Sequence, residues 1–68
     1  MKEFAKRLKE LRLENELTQS EFGELLNVSQ DTISLWENNK SYPSIDYLYK
    51  ICKHFSVSAD YLLNLEEL

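Results

Sequence analysis

Three polar side chains, Gln30, Asp31 and Ser34, are spaced so that a helix would gather them on one side. Residues three or four positions apart share a helical face, and the apolar pair Ile33 and Trp36 would occupy the opposite face. An amide, a carboxylate and a hydroxyl can all form hydrogen bonds with a ligand. The spacing therefore predicts either a recognition surface or an ordinary solvated helix face, and composition alone does not separate the two.

The chain offers no arrangement that is typical of catalysis. Cys52 and His54 are two positions apart, so on a helix they point in different directions and cannot chelate one metal ion together. We find no pair of nucleophile and base and no phosphate-cradling loop, and we expect Cys52 to be a small core residue. We expect neither an enzyme nor a metal, cofactor or small-molecule site.

Length and composition indicate one compact helical domain over residues 1–68. Hydrophobic residues make up 43% of the 68 residues and charged residues 29%, with a single Gly and a single Pro. No apolar run approaches the roughly 18 to 20 residues that span a bilayer, and the first ten residues lack the apolar core of an export signal. We therefore expect a cytoplasmic protein without a membrane segment.

The distribution of charge is uneven. The net charge is −4, which disfavours a polyanionic partner for the chain as a whole. The segment from Leu17 to Glu37 contains four acidic residues and no Lys or Arg. The predicted helix that carries Gln30, Asp31 and Ser34 therefore has no basic residue of its own.

A first amphipathic helix is predicted from Lys2 to Glu14. Asn15 would end this helix, since asparagine tolerates a left-handed backbone better than most residues. Phe4, Leu8 and Leu11 recur at the spacing of one helical face, and Ala5 and Leu13 widen this apolar stripe.

Thr18 and Glu21 form the capping-box pattern that starts a second helix near Gln19. Gly23, which normally costs about 1 kcal/mol inside a helix, indicates a close approach by a neighbouring helix. Asn27 is suited to end the helix. Its buried positions are predicted at Phe22, Leu25 and Leu26.

A third helix is predicted to start at the N-cap Ser29 and to run to about Asn38. Only about three residues then join the second and third helices, with Val28 turned inward. So short a link is typical of a steep helix-turn-helix crossing.

Ser44 and Ser58 are predicted N-caps of a fourth and a fifth helix. Leu62, and with it Leu65, would extend the core from the fifth helix. The fourth helix would bury Ile45, Leu48, Ile51, Cys52 and Phe55.

The segment from Thr18 to Pro43 resembles the helix-turn-helix family of Cro and cI-type phage repressors, also called the XRE family. The resemblance extends outward to Arg12 and to Leu63, and it implies a compact, all-α, five-helix domain of the lambda-repressor-like type with its helix-turn-helix at 18–38. The matching positions are Thr18, Gln19, Val28, Ser29, Thr32, Ile33, Ser34, Trp36, Glu37, Lys40 and Pro43.

The chain departs from the family pattern at five positions. Glycine is usual in the family where this chain has Glu16, Asn27 and Asn39, and Leu-Ala is usual where it has Phe22-Gly23. Asparagine keeps the tolerance of positive φ. We read the larger Phe beside the smaller Gly as a volume-conserving exchange.

In this family the third helix enters the major groove of double-stranded DNA, so the resemblance implies a sequence-specific transcriptional regulator. The implied base-reading residues are Gln30, Asp31 and Ser34, flanked by Thr32 and Leu35. The implied contacts to the DNA backbone are Gln19, Ser29, Asn38, Asn39, Lys40 and Tyr42. Arg12 and Glu37 match positions that often form a structural ion pair.

The resemblance also implies a repressor that binds a palindromic operator as a homodimer, with Tyr61 and Leu65 near the seam. Tyr47, Tyr49, Tyr61 and Leu68 are predicted to be exposed, and scattered apolar surface is an equal reading of them. The acidic charge leaves open an alternative of another class. This alternative is a protein-binding adaptor or an antitoxin-like module.

Overall fold

The computed structural model describes residues 1–65, and every regular element in them is a helix. The predicted all-α, five-helix fold is confirmed, including the bounds of the first helix. Within the described residues no helix combines the length and the apolarity that crossing a membrane requires. The helices are α1 (Lys2–Glu14), α2 (Gln19–Leu26), α3 (Gln30–Glu37), α4 (Ile45–Phe55) and α5 (Ala59–Leu63).

Four of the helices begin at the hydroxyl residues that the sequence indicates. The Thr18 hydroxyl accepts a hydrogen bond from the Glu21 amide at 3.0 Å, and the Glu21 carboxylate accepts one from the Thr18 amide at 2.9 Å, which completes the capping box. Single caps start the other three at Ser29, Ser44 and Ser58. Side chains therefore bond amide groups that no helical carbonyl can reach.

All five helices end in the same way, with a non-glycine residue in the left-handed region. The residue after it donates its amide to a carbonyl five positions earlier, as Lys40 does to Leu35 at 2.9 Å. The prediction that Asn15 ends α1 in this conformation is wrong, because Asn15 has φ −94° and Glu16 has φ 56°. The left-handed residues are Glu16, Asn27, Asn39, Ser56 and Asn64.

The core lies where α1, α2 and α3 meet the inner faces of α4 and α5. The Phe22 and Phe55 rings lie 5.4 Å apart between centroids, and the Trp36 ring packs 5.8 Å from that of Tyr47. The fully buried side chains are Phe4, Leu8, Phe22, Ile33, Ile51 and Leu62. Cys52 and Val28 are half-buried against this core.

Four residues predicted to be buried are exposed, namely Leu13, Leu25, Ile45 and Leu65. Leu13 is exposed because the inward stripe of α1 continues through Arg12, one position earlier. Leu25 lies on the flank of α2, beside the buried face that Phe22 and Leu26 form. Ile45 is 84% exposed because it begins α4, ahead of the turns that pack on the core.

One of the predicted surface aromatic residues, Tyr47, is less exposed in the structure than expected. Tyr49 and Tyr61 are exposed, as predicted. Tyr47 is half-buried because its ring packs against Trp36. Leu65 is exposed and adds little to the core, and Leu68 lies outside the described residues.

The backbone of α2 lies against the turn that joins it to α3. A Cβ atom on Gly23 would lie 2.6 Å from the Val28 carbonyl oxygen and 3.3 Å from backbone atoms of Ser29. The predicted close approach at Gly23 is confirmed, but the neighbour is the turn that leads into α3 and not a separate helix face. This contact and the three-residue link 27–29 together fix the orientation of α3 relative to α2.

Candidate nucleic-acid interface

α3 has two chemically distinct faces. Ile33 and Trp36 point into the core and are almost completely buried. Gln30 and Asp31 on the opposite side are exposed, and Leu35 is 47% exposed at the edge. The helix is therefore held by one face and presents the other to solvent.

The polar residues of this face differ in how far the protein already uses them. The hydroxyls of Ser29 and Thr32 share a hydrogen bond of 3.0 Å, and the Ser29 hydroxyl also caps the helix. The Ser34 hydroxyl accepts a hydrogen bond from the Asn38 amide group at 3.3 Å. Within residues 1–65, no hydrogen bond ties down the side chain of Gln30 or Asp31, so both keep their full capacity for a ligand.

The turn after α3 holds a second group of predicted contacts. The Tyr42 hydroxyl donates to Asn39 Oδ1 at 3.1 Å and accepts from the amino group of Met1 at 3.3 Å. Lys40 is exposed beside them. Sequence reasoning missed the amino group of Met1, because no local pattern relates position 1 to position 42.

Asn38 lies at the end of α3, where its side-chain amide donates to the Ser34 carbonyl at 2.8 Å. The same carbonyl also accepts a hydrogen bond from the Asn38 backbone amide at 3.0 Å. Asn38 is itself exposed at this end of α3.

Gln19 lies on the other side of α3, at the first position of α2. Its side-chain amide donates to Glu37 Oε1 at 3.2 Å. Glu37 also accepts two hydrogen bonds from Arg12, from Nε at 2.7 Å and from Nη2 at 3.0 Å. The expected partners Arg12 and Glu37 are thus adjacent, and Gln19 joins them.

The ion pair of Arg12 and Glu37 is buried and determines the local electrostatics. Arg12 is 7% exposed and Glu37 9%, and Arg12 Nη1 donates to the Leu17 carbonyl at 2.9 Å. The hydrogen bond with Glu37 raises the pKa of Arg12 above its ordinary value, while burial acts in the opposite direction. The guanidinium therefore stays charged and neutralises the Glu37 carboxylate at the end of α3.

Tyr61 and Leu65 lie away from this face, on and just after α5, and both are exposed. The guanidinium of Arg7 lies 4.6 Å from the centroid of the Tyr61 ring, and Arg7 Nη1 donates to the Tyr61 carbonyl. Tyr61 is therefore held against α1 while part of its surface remains open.

Two helices joined by a three-residue turn, the second buried along one face and open to solvent along the other, define a DNA-binding domain of the helix-turn-helix class. A helix-turn-helix family model matches residues 8–62. The chain belongs to this family, the XRE family of Cro and cI-type regulators, as its motif predicts.

Three curated relatives are similar to this chain. It is 47% identical over 66 residues to the HTH-type transcriptional activator BcrR of Enterococcus faecalis, covering 97% of this chain and 32% of BcrR. It is 40% identical over 62 residues to the HTH-type transcriptional regulator ImmR of Bacillus subtilis, covering 91% of this chain and 49% of ImmR. It is 38% identical over 53 residues to the antitoxin PezA of Streptococcus pneumoniae, covering 78% of this chain and 34% of PezA.

The fold is similar to that of the P22 c2 repressor, solved in complex with a synthetic operator. The TM-score is 0.80 at 29% identity, over 87% of this chain and 89% of the repressor chain. The chain spans only about a third to a half of the length of the curated relatives.

Proposed function

We propose that this domain binds operator DNA by inserting α3 into the major groove, as part of a transcriptional regulator that works in the cytoplasm. The observation that carries the proposal is the face of α3, where Gln30 and Asp31 are exposed and have no hydrogen-bond partner within the described residues. The structural likeness to a repressor that was solved on its operator supports the same orientation.

The proposed readers have distinct chemistry. The Gln30 amide can bond adenine N6 and N7 together, and the exposed Leu35 can touch a thymine methyl group. Asp31 can accept from cytosine N4, but its charge is repelled by phosphates, so it restricts the choice of sequence more than it adds affinity. Ser34 and Thr32 read at the edge, because both hydroxyls already have partners.

The proposed backbone contacts surround α3 and fix its register. Lys40 supplies the positive charge on this surface, together with the Met1 amino group beside Tyr42. Gln19 offers its amide at the start of α2, where the helix dipole favours an anion. The remaining members of this group are Ser29, Asn38, Asn39 and Tyr42.

We further propose a homodimer on a palindromic site. The domain has net charge −4 and little basic surface near α3, so one copy gains little affinity from phosphate neutralisation. Two copies related by a two-fold axis would read half-sites about 34 Å apart. The exposed Tyr61 and Leu65 are the proposed seam.

The direction of regulation is a separate matter. BcrR is named an activator and c2 a repressor, although both are similar to this chain. A domain of this type therefore occurs in both activators and repressors. Repression remains our prediction, and run-off transcription from a promoter that overlaps the selected operator measures it.

In vitro selection from a random duplex library tests the proposal. We expect recovery of one discrete, inverted-repeat sequence, and footprinting should place the protein in two adjacent major grooves. Selection of no preferred sequence, with only weak and salt-sensitive binding, would contradict sequence-specific recognition.

A second candidate is an antitoxin-like or adaptor role in which another protein is the main ligand. The similarity to the antitoxin PezA and the acidic net charge favour it. Recovery of a discrete operator would exclude a purely protein-binding role. Failure of the selection, with a cognate protein retained on the immobilised domain, would support it.

A further inference from the structure

Glu37 accepts hydrogen bonds from three different nitrogen atoms. Its Oε2 accepts from Arg12 Nε at 2.7 Å, and its Oε1 accepts both from Arg12 Nη2 at 3.0 Å and from Gln19 Nε2 at 3.2 Å. The three residues belong to α3, α1 and the first turn of α2. One nearly buried carboxylate thus connects the recognition helix to the proposed phosphate contact.

This carboxylate determines which way the Gln19 amide faces. The amide end of a glutamine carries an oxygen and an NH2 group, and without a partner it can present either one. An oxygen placed against the Glu37 carboxylate would be repelled, so Nε2 must face Glu37. One N–H of Nε2 is then used, and the second N–H stays available on the exposed side of Gln19, which is half-buried.

We propose that Glu37 is a positioning residue for DNA binding, acting through Gln19 while Arg12 neutralises its charge. The inference rests on the proposed DNA-binding function. Glu37 holds the amide so that an N–H, and not the oxygen, points towards a phosphate oxygen. Arg12 is needed because an unpaired carboxylate at the end of α3 would repel the same phosphate.

The substitution Glu37→Gln distinguishes a positioning role of Glu37 from a purely electrostatic one, because the two roles predict opposite changes in DNA affinity. Removal of a negative charge would by itself tighten binding to a polyanion. Loss of the oriented Gln19 amide would weaken binding about three- to tenfold, which is the range of one ordinary hydrogen bond. We expect weaker binding although a negative charge is removed.

The test is a double-mutant cycle on the selected operator, with Gln19→Ala, Glu37→Gln and the double variant. Dissociation constants are measured by fluorescence anisotropy at a temperature where circular dichroism shows each variant fully folded. We expect the double variant to bind no more weakly than Gln19→Ala alone. Losses that multiply, or tighter binding by Glu37→Gln, would overturn the positioning role.

A measurement on the unmodified chain covers the case in which Glu37→Gln does not fold. The chain has two glutamines, and Gln30 is exposed and without a partner in the described residues, so it serves as an internal reference. In NMR spectra of the free protein, the Gln19 side-chain amide protons should be shifted and slow to exchange relative to those of Gln30. Indistinguishable amide signals would overturn the inference.

The two proposals fail in different ways. If the unmodified chain binds no duplex DNA, the proposed function fails and this inference fails with it. If the chain selects an operator but the cycle shows independent effects, only the positioning role of Glu37 is lost.

Discussion

Arg12 and Glu37, twenty-five positions apart, form two hydrogen bonds of 2.7 and 3.0 Å that join α1 to the end of α3. Replacement of Arg12 by Ala would leave the Glu37 carboxylate buried without its counter-charge. We expect the free energy of unfolding to fall by about 3 to 5 kcal/mol, measured by urea denaturation. That is a large share of the stability of so small a domain.

The matched control removes both charges. Arg12→Met combined with Glu37→Leu leaves no unpaired ion, so its stability should lie much closer to that of the parent chain than does Arg12→Ala. If the single and double variants were equally unstable, the loss would reflect packing of the Arg12 stem and not the uncompensated charge.

Gly23→Ala should destabilise the domain although alanine favours helices. The added Cβ would meet the Val28 carbonyl oxygen at 2.6 Å, and that atom belongs to the backbone of the turn. We expect a net loss of about 1 to 3 kcal/mol, despite a gain of about 1 kcal/mol in helix propensity. The control is Ser20→Ala on the exposed side of α2, and a melting temperature raised by both substitutions would show that the turn adjusts freely.

Gln30→Ala should reduce sequence specificity at one base pair of the operator. It should weaken operator binding by about 1 to 3 kcal/mol and leave the affinity for random DNA unchanged. The reason is that Gln30 bonds a base edge in the proposed complex and has no structural partner among the described residues. Titration of the operator and of single-base variants measures both effects. Equal losses on operator and random DNA would refute the assignment of Gln30 as a base reader.

Lys40→Ala supplies the contrasting case. Because a phosphate contact carries no sequence information, binding to all duplexes should weaken similarly. The slope of log affinity against log salt concentration should fall by about one. An unchanged slope would place Lys40 away from the DNA.

Burial raises the pKa of the Cys52 thiol, and this makes one part of the stability depend on pH. A thiol with a higher pKa when folded contributes stability that is present below the ordinary thiol pKa, about 8.5, and is lost as the pH rises above it. Urea denaturation of the parent and of Cys52→Ser across that window isolates this contribution, because lysine and tyrosine titrations are common to both. Parallel pH profiles would contradict it.

Glu16→Gly should stabilise the domain. Glu16 has φ 56°, a conformation that costs an ordinary side chain about 1 to 2 kcal/mol, and part of the relief is offset by the greater freedom of glycine in the unfolded chain. We expect a net gain of up to about 1 kcal/mol, measured by thermal denaturation. Glu14→Gly, inside the helix, is the control and should destabilise.

Local chemistry made most of the fold predictable from the sequence. The N-caps at Thr18, Ser29, Ser44 and Ser58 each depend on a side chain bonding the amide three positions later, so they can be recognised from local sequence. Apolar periodicity did not predict that Arg12 would be buried and its neighbour Leu13 exposed. A guanidinium can lie inward only because Glu37, on another helix, meets it.

The same distinction applies to the candidate site. The exposed face of α3 follows from helical spacing, and the roles of its residues follow from the family motif. Sequence spacing did not indicate that Gln19 bonds Glu37, or that Tyr42 lies between Asn39 and the Met1 amino group. Both contacts join distant positions, so they depend on how the helices pack.

The two faces of α3 also have an evolutionary consequence. Ile33 and Trp36 anchor the helix, while the side chains of Gln30 and Asp31 lie outside the core and form no hydrogen bond within the described residues. Mutations at the two exposed positions can therefore change the preferred operator without first passing through an unstable intermediate. After gene duplication, two copies of such a chain could acquire separate target genes by a few substitutions on one side of one helix.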